Sequence, residues 1–436
     1  MERTYAANVH AADEIRVCGF VDTIRNKSKM AFIVLKDITG KVQVTVEKGE
    51  NEALDAAVNS LTPDSVITVI GKAVDSPYVK LGGVEIYPKE IIVESIAAPL
   101  PIDREARKGH ERSSIDQRID YRWVDLRTEK NQLLFKVQTV LVGAMRDYLR
   151  QKGFLEIHTP KLIGAASESG SDVFEVKYFD RNAYLAQSPQ FYKQMAMASG
   201  LERIFEVGPV FRAEKSFTSK HTTEFSGFDL EFSFIESYQD VMTLEAEILA
   251  YALGKVKEAY GEQIEQVFGV ALEVPTLPFP QMKLADLYAE LEAEFGYKVP
   301  EEEKGDLTTE AEHLSYDLAK KKFGHEFLFV TDFGAEKRAF YHMRDENGIP
   351  QGYDLIWRGV EITTGAQREH RYDQLKAQAE EKGLAEDVKF YLEFFKYGCP
   401  PHGGFGLGID RLTMLLLGMT IKEVMFLFRG PTRLTP

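Results

Sequence analysis

Between residues 14 and 95 the chain reads as five short β-rich runs with one helix-like piece among them. The runs are IRVCGFV, MAFIVLKD, KVQVTVE, SVITVIGKAV and VEIYPKEIIVE, and turn chemistry such as Asp37-Ile38-Thr39-Gly40 separates them. The helix-like piece, Asn51 to Ser60, falls after the third run.

Five strands with a helix after the third match an OB-fold barrel, a common platform for single-stranded nucleic acid. A small SH3-like barrel is the alternative on pattern alone. The whole chain has 436 residues, more than one ordinary core accommodates, so two or three domains are expected. Residues 96 to 131 are polar, charged and weakly periodic, as a hinge would be. The expected division is a barrel over 1–105, a linker over 106–131 and a second domain over 132–436. That domain opens with Leu134, Val137, Leu141, Met145 and Tyr148 at the spacing of an amphipathic helix, with Gly153 at its C-cap. Beyond it, strand-like runs alternate with helices over Val241 to Lys257, Tyr372 to Lys382 and Ala385 to Tyr397. These runs lack βαβ spacing, so an antiparallel sheet flanked by helices is expected, and the class is α+β.

Composition narrows the setting. Two cysteines, Cys18 and Cys399, stand far apart without partners at metal-ligand spacing, which argues against a disulfide framework or a zinc site. No stretch approaches a membrane span and the first residues lack the apolar core of a signal peptide, so a cytoplasmic setting is expected. The net charge of -15 averages over the whole surface and permits a nucleic-acid partner without demanding one. Locally, Arg25, Lys27, Lys29, Lys36 and Lys41 face a single acid, Asp37. Neither GxxxxGK[ST] nor a strand-linked GxGxxG occurs, so a P-loop or dinucleotide site is not expected.

Three segments carry chemistry: GFLEIHTPKLIG, VGPVFRAEKSFTSKHTTEFSGFDLEFSF and GGFGLGIDRLTMLLLG. In the second, alternation along a strand sends Arg212 and Glu214 to the same face, and a loop brings Lys220 and His221 before a second strand begins at Glu224-Phe225. Such a hairpin can offer a guanidinium fork to phosphate and a phenyl face to a base. In YDLIWRGVEITTG, the carboxylates of Asp354 and Glu361 lie on strand-like segments, and Mg²⁺ needs only one or two carboxylates beside substrate phosphates. Standing alone, an acidic pair of this kind is more often a solvated or salt-bridged face. Lys193 in LAQSPQFYKQ and Arg368 in GAQREHRYD supply two cations. A dry pocket holding a side-chain carboxylate needs such charge, and an amide there would leave it unpaired.

In this order the three segments resemble motifs 1, 2 and 3 of the class II aminoacyl-tRNA synthetases, and the detail narrows to class IIb aspartyl enzymes of the short archaeal type. The resemblance covers essentially the whole chain. It implies ATP-dependent activation of L-aspartate on Mg²⁺ and transfer to tRNA(Asp), with charging of tRNA(Asn) left open. Arg212, Glu361 and Arg411 would be catalytic. Glu214, Lys220, His221, Thr222, Phe225 and Gly408 would complete the ATP site, and Asp354 would assist Glu361 with metal. Glu168, Gln190, Lys193, Asp229, Thr364 and Arg368 would join Arg212 around aspartate. Phe32, Gln43 and Glu85 would read the anticodon from the barrel, and motif 1 would build a homodimer. Two positions depart from most relatives: Asp410 stands for a glutamate and Lys220 for an arginine. An asparaginyl enzyme, a synthetase paralogue acting on another acceptor, and a non-catalytic OB-fold scaffold are the rival readings. Lys193, the retained barrel, and the intact Arg212, Glu361 and Arg411 respectively argue against them.

Overall fold

The structure, a computed structural model, describes residues 1–106, 109–164, 173–215 and 221–436. Contacts group the chain into two compact units, Met1–Ser114 and Ile115–Pro436.

In the first unit, β1 (Ala12–Asn26), β2 (Met30–Lys36), β3 (Lys41–Glu47), β4 (Val66–Asp75) and β5 (Val84–Ser95) close into a barrel in the order β1-β2-β3-β5-β4. Helix α1 (Glu52–Ser60) lies between β3 and β4, and the side chain of Asn51 caps it by accepting from the amides of Ala53 and Leu54. This is the OB arrangement, with closure made by the parallel pairing of Gln43 with Glu85 and Val44 with Ile86. Period-two alternation builds the core: Ala31, Ile33 and Leu35 point inward with Val42, Val44 and Val46, leaving Phe32 and Gln43 on the outer face.

The second unit is built on an eight-stranded sheet. In spatial order its strands are Gln281–Lys283, Phe327–Thr331, Gly352–Trp357, Val360–Gln367, His402–Gly408, Glu224–Ser233, Arg203–Phe211 and Leu155–Glu156. The six central strands are antiparallel as expected, whereas the pair at each edge is parallel. Each edge strand reaches its neighbour through a long crossover rather than a tight turn, as parallel pairing requires. Among the described residues, two α-helices lie between Gln281–Lys283 and Phe327–Thr331, and short strands with one α-helix between Leu155–Glu156 and Arg203–Phe211. Two long helices, Glu129–Gln151 and Tyr238–Phe268, cover one face. Leu134, Val137, Leu141 and Met145 of the first and Val241, Leu249 and Val256 of the second share a core with Phe228, Leu230, Phe405 and Leu407 of the sheet.

The helix expected over Val241 to Lys257 is therefore the middle of a longer one, which starts at a Ser237–Asp240 capping box and stops at Gly269 in the left-handed region. The helix expected over Ala385 to Tyr397 is broken into Lys389–Glu393 and a single 3₁₀ turn, Phe394–Tyr397. There, packing of Tyr391 and Phe395 into an aromatic cluster with Phe191 and Phe340 outweighs helical periodicity. Part of the segment read as a hinge is helical too, over Ile115–Asp120 and Arg122–Asp125. Arg122 is buried there, donating to Asp125 and to the carbonyls of Glu423, Met425 and Phe426.

Candidate active site

The sheet face away from the two long helices carries a cleft, and strand alternation decides what enters it. Phe228, Leu230 and Phe232 point into the core, so Phe225, Gly227, Asp229 and Glu231 point the other way. The neighbouring strand His402–Gly408 must be thin at this point. A Cβ on Gly404 would sit 2.1 Å from the Leu230 carbonyl oxygen, and one on Gly406 would sit 2.8 Å from Asp229 Oδ1. The glycine-rich segment is thus a strand stripped of side chains to admit the carboxylates beside it.

At one end of the cleft, the hairpin Arg203–Phe211 and Glu224–Ser233 pairs Val210 with Phe225. Arg212 follows it with its guanidinium 5.2 Å from the Phe225 ring centre and Nη1 3.8 Å from Glu214 Oε1. His221 Nε2 lies 3.9 Å from Glu214 Oε2. Arg212, Glu214, His221 and Phe225 therefore form one group. Thr222 serves the scaffold: its hydroxyl lies 2.7 Å from the Arg429 carbonyl oxygen and 2.9 Å from that of Glu224, tying the hairpin to the C-terminal segment.

Arg411 sits in the first turn of helix Ile409–Leu417 and donates from Nη1 to the Glu361 carbonyl oxygen at 2.8 Å. The adjacent Asp410 is buried and accepts from the Ser226 amide at 2.9 Å, so it fastens the start of this helix to the hairpin strand. Burial raises its carboxyl above the ordinary range.

In the middle, the Thr364 hydroxyl lies 2.9 Å from Asp354 Oδ1 and 3.2 Å from Glu361 Oε1. Asp354 is buried and held by a two-pronged bond from Arg338, with Nη1–Oδ1 at 2.9 Å and Nη2–Oδ2 at 2.7 Å. Burial pushes the Asp354 carboxyl up to about 6, with Arg338 pulling it down and Glu361 pushing it further up. The Glu361 carboxylate faces the cleft and has no ion-pair partner among the described residues. Among the described residues no cluster of three or more His, Cys, Asp or Glu side chains is arranged to hold a metal by itself. A divalent ion here would therefore draw much of its coordination from a bound phosphate, and an open carboxylate beside two arginines fits that need.

At the far end, Lys193 is only 1% exposed. Its Nζ donates to Asp229 Oδ1 at 2.9 Å and to the Phe405 carbonyl oxygen at 3.2 Å, and lies 3.5 Å from Glu231 Oε2. Arg368 donates from Nε to Glu231 Oε1 at 2.9 Å and from Nη2 to the Gly404 carbonyl oxygen at 2.9 Å. Burial pushes Glu231 up, but Arg368 and Lys193 outweigh it and hold the carboxyl below its usual range. His342, 3.4 Å from Arg368 Nη1, is kept neutral by burial and by the Arg368 and Arg338 charges.

The cleft, about 200 Å³, thus gathers Gln190, Arg212, Glu214, His221, Thr222, Phe225, Asp229, Glu361, Thr364, Arg368, Gly408 and Arg411. Lys193 and Asp354 do not line it; they stand one layer behind, each paired with an opposite charge. Glu168 and Lys220 lie outside the described residues. Sequence reasoning missed Arg338, Glu231 and His342. Glu231 carried one readable signal: strand alternation puts it on the same face as Asp229, two residues earlier.

On the barrel, Phe32, Gln43 and Glu85 share the outer face. Gln43 Nε2 lies 3.4 Å from Glu85 Oε2, and the Thr45 hydroxyl donates to that oxygen at 2.6 Å. Phe32 stands directly across from Thr45. Among the described residues no helix is long and apolar enough to cross a membrane.

Residues 114–429 match the family model of tRNA synthetases class II (D, K and N), and residues 15–96 match the OB-fold nucleic acid binding domain. An aspartate–tRNA(Asp/Asn) ligase of Aeropyrum pernix is 41% identical over 430 residues, spanning 97% of this chain and 95% of its own length. An aspartate–tRNA(Asp) ligase of Pyrococcus furiosus is 38% identical, covering 97% of this chain and 96% of its own. Among solved structures, asparaginyl-tRNA synthetase from Pyrococcus horikoshii complexed with asparaginyl-adenylate superposes with a TM-score of 0.90 at 31% identity, covering 100% of both chains. Aspartyl tRNA synthetase from Entamoeba histolytica superposes at 0.85 and 31%, over 98% of this chain and 90% of its own. With a hairpin, an acid-bearing strand and a glycine-rich strand meeting around one cleft, and a family match across three quarters of its length, the chain belongs to the class II tRNA synthetases of the D, K and N group.

Proposed function

We propose that the chain is an aspartate–tRNA ligase: it activates L-aspartate with ATP and loads it onto tRNA(Asp), with tRNA(Asn) as a second acceptor to be tested. The observation that carries this reading is the joining of two cleft arginines, Arg212 and Arg411, to a wall holding two more cations, Arg368 and Lys193. One pair suits a triphosphate and the other a side-chain carboxylate.

In the proposed reaction Phe225 stacks on the adenine while Arg212 meets the α-phosphate and Arg411 the γ-phosphate. Glu214 and His221 border the nucleotide. Mg²⁺, for which Glu361 is the open carboxylate, supplies charge neutralisation on the phosphates when bound. The aspartate α-carboxylate attacks the α-phosphorus, forming the mixed anhydride and releasing pyrophosphate. The nucleophile is already ionised, so no general base is required; alignment and charge stabilisation carry the step. The terminal ribose hydroxyl of tRNA then attacks the activated carbonyl and AMP leaves. Arg368, reaching the cleft wall, contacts the substrate side-chain carboxylate, and Lys193 reinforces it from behind. Asp229 is the cleft acid available to the ammonium group. The outer face of the barrel, with Phe32, Gln43 and Glu85, is the proposed anticodon surface. Motif 1, with exposed Leu155 and Leu162, is the proposed contact of a two-fold dimer.

The likeness to the P. horikoshii asparaginyl enzyme keeps asparagine activation as the second reading. Exchange of pyrophosphate into ATP, measured with aspartate and with asparagine, separates the two. Charging of tRNA(Asp) and tRNA(Asn) transcripts then separates ligase from paralogue and sets the acceptor range.

A further inference from the structure

Arg338 has no part in the reaction as derived, yet it holds both oxygens of Asp354 in a buried fork. What it lacks is as informative as what it binds. Its Nε is buried without a hydrogen-bond partner, and no backbone carbonyl anchors its head among the described residues. The guanidinium carbon sits over the Phe333 ring, 3.6 Å from its centre, and the residue borders a side lobe of the cleft shared with Lys337, Lys382, Arg212 and Glu214. Arg368, by contrast, is tied to the Gly404 carbonyl oxygen as well as to Glu231.

The charge balance gives this arrangement a consequence. Asp354 and Glu361 sit on adjacent strands, joined through the Thr364 hydroxyl. Without Arg338, the cleft-lining Glu361 and Asp354 just behind it would be two close carboxylates with no cation paired to either side chain among the described residues, which is a divalent-cation site before any nucleotide arrives. With Arg338 the three groups carry a single net negative charge, and the Asp354 oxygens are already occupied by hydrogen bonds.

We propose that Arg338 is a counter-ion that keeps the Asp354–Glu361 pair from loading a divalent cation until ATP brings phosphate ligands with it. Metal then enters with the nucleotide and not ahead of it. A free ion seated first would bind without the phosphate geometry, and Arg338 removes that state. This rests on the assignment of Glu361 as the metal-facing carboxylate. Arg338 is a positioning residue here, since it acts through Asp354.

The test uses Mn²⁺ alone as the probe, with the free ion counted by electron paramagnetic resonance on the full chain without nucleotide. The wild-type protein is expected to bind Mn²⁺ weakly, and Arg338→Gln to bind it at least about tenfold more tightly, because a local cation has been lost. Arg338→Lys, which keeps charge but not the fork, is expected to fall between them. Adding Asp354→Asn or Glu361→Gln to Arg338→Gln should erase the gain. Tight Mn²⁺ binding by the wild-type protein overturns the proposal even if Arg338→Gln does not fold. So does a folded Arg338→Gln protein that binds Mn²⁺ no better than wild type. Glu361→Gln separates the two levels: if ATP with Mn²⁺ binds this variant as well as wild type, the metal assignment itself fails. If that binding is lost while Arg338→Gln changes nothing, only the counter-ion role fails.

Discussion

Arg368 donates from Nε to Glu231 Oε1 at 2.9 Å inside a wall that solvent barely reaches. Glu231 also lies 3.5 Å from Lys193, so one fully buried carboxylate serves both cations of the proposed amino-acid pocket. The pocket is therefore not a bare positive hole. It is a balanced network whose charges are fixed in place before substrate arrives, and preorganised charge of this kind discriminates by what it would leave unpaired.

That network predicts two separable costs at Lys193. Lys193→Leu leaves Asp229 and Glu231 without their shared cation, and breaking a buried pair this way costs about 3–5 kcal/mol of stability. Aspartate-dependent exchange should fall at least about 100-fold, because the cleft wall loses the buried charge that reinforces Arg368 from behind. Urea unfolding and pyrophosphate exchange on Lys193→Leu and on Lys193→Leu/Asp229→Asn separate the terms. The double variant should regain stability without regaining activity. Recovery of aspartate activation in the double variant would contradict the assignment.

Asp410 predicts a nucleotide effect. Its bond to the Ser226 amide sets the start of the helix that carries Arg411. Asp410→Ala should raise the KM for ATP by about tenfold, the worth of one charge-assisted hydrogen bond, with the KM for aspartate little changed. Asp410→Glu, the side chain expected by resemblance, should restore most of the loss. Equal changes in both KM values would argue for general loosening of the site.

Glu245 predicts a pH dependence of stability. It is fully buried under the sheet, accepts from the Tyr353 hydroxyl at 2.6 Å, and has its carboxyl pushed up to about 8, chiefly by burial, from an ordinary 4.5. Between those values the unfolded chain has released a proton that the folded chain keeps. Unfolding free energy from this group therefore declines as pH rises from 4.5 to 8 and levels off above it. Glu245→Gln should remove that slope, so its advantage over wild type should grow through the window. Urea denaturation of both proteins from pH 5 to about 9 checks the difference, and a constant gap would contradict it.

The barrel predicts an effect on tRNA alone. Phe32→Ala removes a stacking face with a worth of about 1–3 kcal/mol per base. Charging should lose that in KM for tRNA, while exchange without tRNA stays at the wild-type rate. Loss of exchange in this variant would contradict an anticodon role.

Much of this frame was legible in the residues. Alternation in MAFIVLK and KVQVTVE marks strands with Phe32 and Gln43 outward, and the barrel follows from five such runs. The hairpin around Arg212 and the helix after Gly408 also follow from local pattern. What local pattern cannot carry is pairing across long separations. Arg338 gives no periodic or motif signal, and its bond to Asp354 exists only because the end of the 3₁₀ turn Ala335–Lys337 meets the strand Gly352–Trp357. The same limit explains why Lys193 and Asp354 read as site residues and yet stand behind the cleft, since their partners come from other elements, Asp229 from a strand and Arg338 from the end of a 3₁₀ turn. Parallel edge pairing depends on where helices return the chain, which strand composition does not record.

The most direct test of the central claim is pyrophosphate exchange into ATP by the purified full-length chain, with L-aspartate and L-asparagine in parallel, for wild type and Arg212→Ala. The account predicts exchange with aspartate, at least about 100-fold less with asparagine, and loss of the aspartate signal in Arg212→Ala. Exchange that asparagine supports as well as aspartate, or that survives removal of the Arg212 guanidinium, would contradict it.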